Sequence, residues 1–156
     1  MDLSDEELLK IIRAFNSSEV HYMLIGGFAV SYYGYTRTTA DFDLWVKPDN
    51  QNRDKIMNAL LSLEYTQEEI KELSEQDFSL PVSFQLGGNH FYIDVMTFIS
   101  GVNFDEAFEL AVQEKVNNEL PLRIIHRNHL IVNKLLTGRT KDKLDVESLQ
   151  HIEKKN

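Results

Sequence analysis

The sequence predicts a single α/β (α+β) domain, built on one mixed β-sheet flanked by helices and ending in a helix pair. Apolar runs typical of strands interleave with segments of helical periodicity along the chain. With 156 residues, of which 42% are apolar, the chain is long enough for one core and short for two. We therefore expect one domain over residues 1–156, with a core of about 20–125 and a helical part of about 126–154.

The composition excludes several classes of protein. The chain has no cysteine, which excludes a disulfide scaffold, a thiolate zinc site and a cysteine nucleophile. It also has no stretch of roughly 20 apolar residues, and its first residues are acidic where a signal peptide is basic. We expect a soluble, cytoplasmic protein without a membrane partner.

The charge is unevenly distributed along the chain. The net charge of −9 argues against a broadly basic surface that coats nucleic acid. Residues 121–156, however, carry eight basic and four acidic side chains, whereas residues 1–120 carry eight basic and 21 acidic ones. This basic end is either a solvated helical tail or a cationic wall that faces phosphate.

The first elements follow from capping and periodicity. Ser4 and Glu7 form a capping-box pattern that predicts a helix over 4–17. A buried strand over 22–25 then leads into Gly26-Gly27, and a short helix over 28–33 ends at Gly34. Alternation of polar and apolar residues predicts the next strand over 41–46.

The remaining elements follow from the same rules. We expect helices over 50–63, 67–75, 127–137 and 141–154, and a further helix that begins after Asn103. Strands are expected over 82–86, 91–98 and 121–125, with the first two joined by a hairpin turn at Gly87-Gly88-Asn89-His90.

A pair of acids on the 41–46 strand indicates chemistry. Asp41 and Asp43 are two residues apart, so both carboxylates point to the same side of the strand. Like charges this close repel unless a cation lies between them, which indicates Mg²⁺, or Mn²⁺ in its place. Asp94 lies in an otherwise apolar run and also needs a partner. If its strand adjoins the first, three carboxylates converge on one metal site.

Two further features suit an anionic substrate. Gly26-Gly27 stands between a strand and a helix, where backbone N–H groups can approach a phosphate, although an isolated Gly-Gly is also typical of a plain tight turn. Arg37 and Thr38 precede the acids and offer a guanidinium and a hydroxyl.

Together these motifs resemble those of the DNA polymerase beta-like nucleotidyltransferase superfamily. The Gly-Gly form with Arg-Thr ahead of Asp-x-Asp is most similar to a small bacterial subgroup that includes abortive-infection nucleotidyltransferase toxins. The segments that carry the resemblance are Tyr22 to Val30, Arg37 to Leu44, Tyr92 to Val95, His129 to Leu136 and Gly138 to Asp145. Many superfamily members have a serine where this chain has Gly27, and some related proteins are inactive.

The resemblance implies an enzyme of nucleotidyltransferase fold that moves a nucleoside monophosphate from a nucleoside triphosphate to an acceptor hydroxyl. Asp41, Asp43 and Asp94 are then the catalytic and metal-binding residues. The nucleotide-binding residues are Gly26, Gly27, Arg37, Thr38, Lys134 and Arg139. Helical spacing predicts that Lys134 shares a face with Arg127, opposite Leu135 and Ile131.

The resemblance leaves the acceptor open. It implies a protein or RNA acceptor and a role in a bacterial toxin–antitoxin or defence system, with a partner protein of such a pair. One alternative is a nucleotide-binding or protein-binding module that has the fold without catalysis. Another is an enzyme that adds nucleotides to tRNA ends and contacts the tRNA through residues 121–156.

Overall fold

A computed structural model describes residues 1, 3–34, 41–88 and 92–155, without the side chains of residues 41 and 152–155. Its strands are β1 (Tyr22–Ile25), β2 (Asp41–Val46), β3 (Ser83–Gly87), β4 (Tyr92–Met96), β5 (Val112–Val116) and β6 (Leu120–Ile124). Its helices are α1 (Glu6–Ser17), α2 (Gly26–Tyr32), α3 (Asn50–Ser62), α4 (Gln67–Ser74), α5 (Phe104–Leu110), α6 (Arg127–Thr137) and α7 (Thr140–Lys155).

The described strands form one sheet in the order β3-β4-β2-β1-β6-β5. The central pairs are mixed: β2 is antiparallel to β1 and parallel to β4, and β6 is parallel to β1. Each outer strand is antiparallel to its neighbour, so hairpins β3-β4 and β5-β6 flank the centre. The predicted α/β class with one mixed sheet is confirmed.

Burial differs between the centre and the β3 side of the sheet. Every side chain of β1 is buried, and because successive side chains point to opposite faces, β1 is covered on both faces. On β4 only Ile93 and Val95 are buried, whereas Asp94 and Met96 on the other face are partly open. The sheet therefore offers solvent access on one face of its β3-β4 end.

The helices cover the sheet through apolar stripes at helical spacing. On α1 the stripe includes Leu8, Ile12 and Phe15, and α1 packs against α3 and β6. Helix α2 packs on β1, β2 and α6, and α6 packs against α7. Gly138, at a φ of 70°, ends α6 in the left-handed conformation that favours glycine. No described helix is both long and apolar enough to span a membrane.

Some predicted elements differ in detail. Helix α1 is capped by Asp5, which accepts a hydrogen bond from the Leu8 N–H, so the Ser4 capping box is wrong. Helix α2 begins at Gly26 rather than Phe28. By contrast, the helix predicted over 67–75 begins at Gln67, where Thr66 and Glu69 form a capping box.

Strand β5 is absent from the sequence prediction. Its burial alternates, with Gln113 and Lys115 exposed, as expected for the outer strand of a sheet. The turn between β5 and β6 also holds the start of the chain, because the Asn117 N–H donates to the Met1 carbonyl at 2.8 Å.

Candidate active site

Two acidic side chains meet where β2 and β4 run side by side. The parallel pairing places Asp43 directly opposite Asp94, and residues opposite each other in a sheet point to the same face. The adjacency expected of these two strands is therefore present. Both side chains are half-buried, so they are partly desolvated and still accessible to a ligand.

The first glycine of the Gly26-Gly27 pair packs directly beneath one of these acids. Gly26 has a φ of +71°, and a Cβ built on it would overlap the Asp43 carboxylate. Any side chain at position 26 thus meets both a strained backbone and an occupied space. The close approach joins the start of α2 to the carboxylate of β2.

Asp94 has a neutral hydrogen-bond partner that sequence reasoning missed. Gln85 lies opposite Asp94 on β3, and its Nε2 donates to Asp94 Oδ1 at 2.8 Å. The signal for this pair was the hairpin register, since Gln85 and Asp94 are placed opposite each other once the β3-β4 turn is fixed.

A cleft of about 570 Å³ opens beside these groups. Its volume lies in the range typical of small-ligand sites. One wall is formed by residues of β1, β2 and β4 and by the glycines, and the other by the segment after β4 and the α6-α7 helix pair. The lining includes Gly26, Gly27, Asp43, Asp94, Met96, Phe98, Ile99, Ser100, Asn133, Lys134, Thr137, Arg139, Lys141 and Asp142.

Lys134 lies in this wall. It is 5% exposed and Leu135 is 56% exposed, so these two side chains lie on different sides of α6, as predicted. Ile131, which was predicted on the side of Leu135, is 9% exposed and is buried like Lys134, so that part of the predicted orientation is wrong. Lys134 Nζ lies 3.1 Å from Asp142 Oδ1 and 2.9 Å from Asp145 Oδ2, both on α7. These two buried carboxylates turn the lysine inwards, because an ammonium can be buried when it is paired with opposite charge.

Arg139 closes the same cluster from the solvent side. Its Nε and Nη2 donate to the two carboxylate oxygens of Asp142, at 2.7 and 3.2 Å, while the Arg139 side chain remains 65% exposed. These hydrogen bonds and the charge of Asp142 raise the pKa of Arg139, and the charge of Asp43 adds to the rise. The guanidinium is therefore within electrostatic range of the strand acid.

Asp142 is the centre of the cluster. Burial opposes its ionisation, but hydrogen bonds from Arg139, Thr137 and Lys134 outweigh this effect and hold the pKa of Asp142 well below its usual range. The carboxylate is thus charged at neutral pH, and the cluster joins α6 to α7 through ionic bonds.

Comparison with known proteins bears on the fold. No protein-family model matches the chain, and no curated protein matches it at a significant level. Among solved structures, the chain is similar to the lincomycin-bound crystal structure of the lincosamide antibiotic adenylyltransferase LnuA, with a TM-score of 0.53 and 16% sequence identity. The match covers 97% of this chain and 99% of that chain. The chain has a nucleotidyltransferase fold.

Within this fold, the predicted site residues fall into three groups. Gly26, Gly27, Asp43, Asp94, Lys134 and Arg139 all line the one cleft. The backbone of Asp41 lies opposite Tyr92 on β4, but its side chain is outside the described residues. Arg37 and Thr38 also lie outside the described residues.

The two carboxylates on β2 and β4 fit a hard divalent cation. Mg²⁺ is commonly held by one or two carboxylates together with water and substrate phosphates, and Asp43 and Asp94 supply two neighbouring carboxylates. Among the side chains that the structure describes, no group of three acidic, histidine or cysteine residues could hold a metal. A third carboxylate from the chain would be that of Asp41.

Proposed function

We propose that this protein is a divalent-metal-dependent nucleotidyltransferase. The observation that carries the proposal is the register of Asp43 and Asp94 on β2 and β4, beside Gly26 and within one cleft. The likeness in fold to an adenylyltransferase supports it. The cleft would take a nucleoside triphosphate, and the reaction would release pyrophosphate.

The reaction exchanges one phosphorus–oxygen bond for another. The acceptor hydroxyl oxygen attacks the α-phosphorus, the bond from that phosphorus to the bridging oxygen breaks, and pyrophosphate leaves with the electron pair. Mg²⁺ held by Asp41, Asp43 and Asp94 would polarise the phosphate and stabilise the leaving oxygen. Asp94 would also accept the proton of the acceptor hydroxyl.

Cations of the helix pair would stabilise the leaving pyrophosphate, where negative charge accumulates. Arg139 is well placed because it is largely exposed and lies within electrostatic range of Asp43. Lys141, which the sequence prediction did not include, is exposed and lines the same cleft. Lys134 reaches the cleft wall with its charge already balanced by Asp142 and Asp145, so its role is mainly to hold that wall.

The acceptor belongs to the proposal as well. The resemblance to the abortive-infection subgroup favours a protein or RNA hydroxyl and a toxin–antitoxin setting. A small-molecule hydroxyl is the second candidate, because the match with the lincosamide adenylyltransferase LnuA extends over nearly the whole of both chains.

Labelled nucleotides test the proposal. The purified chain is incubated with each of the four α-³²P nucleoside triphosphates and Mg²⁺ or Mn²⁺, with total RNA, lysate protein or a small-molecule extract as acceptor. We expect label in one acceptor fraction, and EDTA should abolish the transfer.

A binding measurement accompanies the transfer assay. Millimolar Mn²⁺ should raise the melting temperature of the wild-type chain, as any ligand of the folded state does. Asp43→Asn should remove the rise, whereas Asp54→Asn on the exposed surface of α3 should keep it. Melting that is indifferent to Mn²⁺, with no labelled acceptor, would mean that the chain is a non-catalytic module.

A further inference from the structure

A shallow groove adjoins the cleft on the open face of β3 and β4. Its volume is about 410 Å³, and its lining includes Ser83, Gln85, Asp94 and Met96. The register pairs Ser83 with Met96 and Gln85 with Asp94, so these four side chains share one face of the sheet. Asp94 and Met96 line both the groove and the cleft, so the two spaces adjoin at these residues.

The bond between Gln85 and Asp94 lies at this junction. Gln85 Nε2 donates to Asp94 Oδ1 at 2.8 Å from an exposed position on the outermost strand. An exposed hydrogen bond of this kind adds little to stability, because water competes for both groups. It does, however, restrict rotation of the Asp94 carboxylate and engages one of its two oxygens.

Gln85, the hydrogen-bond partner of Asp94, carries no charge, and this bears on whether Asp94 can bind a metal cation. A lysine or arginine at position 85 would balance the charge of Asp94 and so compete with a metal cation for this carboxylate. In the helix pair, Lys134 and Arg139 balance the charge of Asp142 in this way. An amide donor orients a carboxylate and leaves its full negative charge in place. Gln85 therefore orients the Asp94 carboxylate without reducing its negative charge.

We propose that Gln85 is a positioning residue for Asp94, holding its carboxylate in the orientation that serves the metal and the acceptor hydroxyl. The inference rests on the function proposed above. Partners of metal-binding carboxylates commonly alter metal affinity or activity by about 10- to 100-fold when removed.

Three variants and a double mutant test the role. Gln85→Leu removes the donor, Gln85→His supplies a ring N–H at similar reach, and Gln113→Leu is the matched control, since Gln113 is an exposed glutamine on β5 at the opposite edge of the sheet. We expect Gln85→Leu to lower the rate of label transfer at saturating nucleotide by about tenfold or more, with the nucleotide KM and the melting temperature nearly unchanged. Gln85→His should restore most of the rate, and Gln113→Leu should match wild type.

The double mutant separates positioning from a general structural effect. Because Gln85 acts through Asp94, Gln85→Leu should add no further loss to Asp94→Asn, in either the transfer rate or the Mn²⁺ affinity measured by electron paramagnetic resonance. In the wild-type background, Gln85→Leu should weaken Mn²⁺ binding several-fold. If Gln85→Leu lowers the transfer rate and the Mn²⁺ affinity by the same factor in the Asp94→Asn background as in wild type, the inference is overturned.

The Mn²⁺ measurement distinguishes failure of this inference from failure of the proposed function. If the wild-type chain binds Mn²⁺ and labels an acceptor while Gln85→Leu behaves like Gln113→Leu, only the role of Gln85 is wrong. If no acceptor is labelled but Gln85→Leu weakens Mn²⁺ binding only when Asp94 is present, the positioning role stands and the proposed function fails. A wild-type chain that neither binds Mn²⁺ nor transfers label overturns both.

Discussion

Strands β2 and β4 and the helix pair each bring two aspartates close together, but the burial and the described partners of the two pairs differ. On α7, Asp142 and Asp145 are 1% exposed and share the ammonium of Lys134, and Asp142 also binds Arg139. On the sheet, Asp43 and Asp94 are half-buried, and Asp94 accepts a hydrogen bond from the neutral amide of Gln85.

The difference separates carboxylates that hold the structure together from those available to a ligand. The charges of Lys134 and Arg139 balance those of Asp142 and Asp145, so that cluster has little affinity left for a cation. On β4 a hydrogen bond from the Gln85 amide holds the Asp94 carboxylate without cancelling its charge. On β2 the carboxylate of Asp43 packs against Gly26. The spacing of the aspartates along the chain does not reveal which carboxylates hold the structure together and which are available to a ligand.

Among the substitutions considered, we expect Asp43→Asn on β2 to have the greatest effect. Asp43→Asn should lower nucleotidyl transfer by at least about 100-fold while leaving the free energy of unfolding little changed, because it removes charge aimed at a ligand. Steady-state label transfer and urea unfolding measure the two quantities. Transfer that survives in Asp43→Asn and is lost in a folded Asp142→Asn protein would reverse the assignment.

A large loss of stability is expected in the helix pair. Lys134→Met should lower the free energy of unfolding by about 3 kcal/mol or more, because it leaves the buried carboxylates of Asp142 and Asp145 without their shared ammonium. Urea unfolding at pH 7 measures the loss. Lys143→Met, at an exposed position on α7, should stay within about 0.5 kcal/mol of wild type, and equal effects of the two variants would contradict the structural role.

The contribution of the helix-pair cluster to stability should be lost over a defined range of acidic pH. The folded-state pKa of Asp142 lies below its unfolded value of about 3.9, so its contribution to stability is complete above that pH and is lost as the pH falls towards the folded value. The unfolding free energy of wild type should therefore fall more steeply between about pH 5 and pH 3 than that of Asp142→Asn. Urea unfolding at pH 3, 5 and 7 checks this, and parallel curves would count against it.

The smallest effect concerns the junction between α2 and β6. The Tyr33 hydroxyl donates to the Ile125 carbonyl at 2.7 Å, and Tyr33→Phe should cost about 1 kcal/mol. Burial, helped by Tyr32, raises the pKa of Tyr33 to about 12. Because the folded value exceeds the unfolded value of about 10, this contribution is present below pH 10 and is lost between about pH 10 and pH 12. The difference in unfolding free energy between wild type and Tyr33→Phe should therefore disappear over that pH range.

Much of the fold could be predicted from local pattern. The bounds of β1 and β2 were predicted correctly, since a short apolar run before Gly-Gly and an alternating run before Pro48 are strong signals. Strand β5 was missed because Val112-Gln113-Glu114-Lys115-Val116 is an outer strand with polar residues at its centre, a composition equally typical of a loop.

The site was predictable where residues lie on strands and less so where they lie on helices. Period-2 geometry and an assumed strand adjacency brought Asp43 and Asp94 together. On α6, Val132, Leu135 and Leu136 are exposed while Lys134 is buried, the reverse of the usual pattern. The cause is the placement of Asp142 and Asp145 on α7, a tertiary contact that the periodicity of α6 cannot contain.

The parallel pairing of β1 with β6 has a consequence for how the protein is made. Leu24 lies opposite Ile124, and the Ile125 N–H donates to the Leu24 carbonyl, so partners about 100 positions apart complete the middle of the sheet. During synthesis β1 has an open edge on that side until β6 emerges from the ribosome. A bare, fully apolar strand edge invites pairing with other chains. We therefore expect the nascent chain to be most prone to such mispairing just before the residues that build the last wall of the cleft are added.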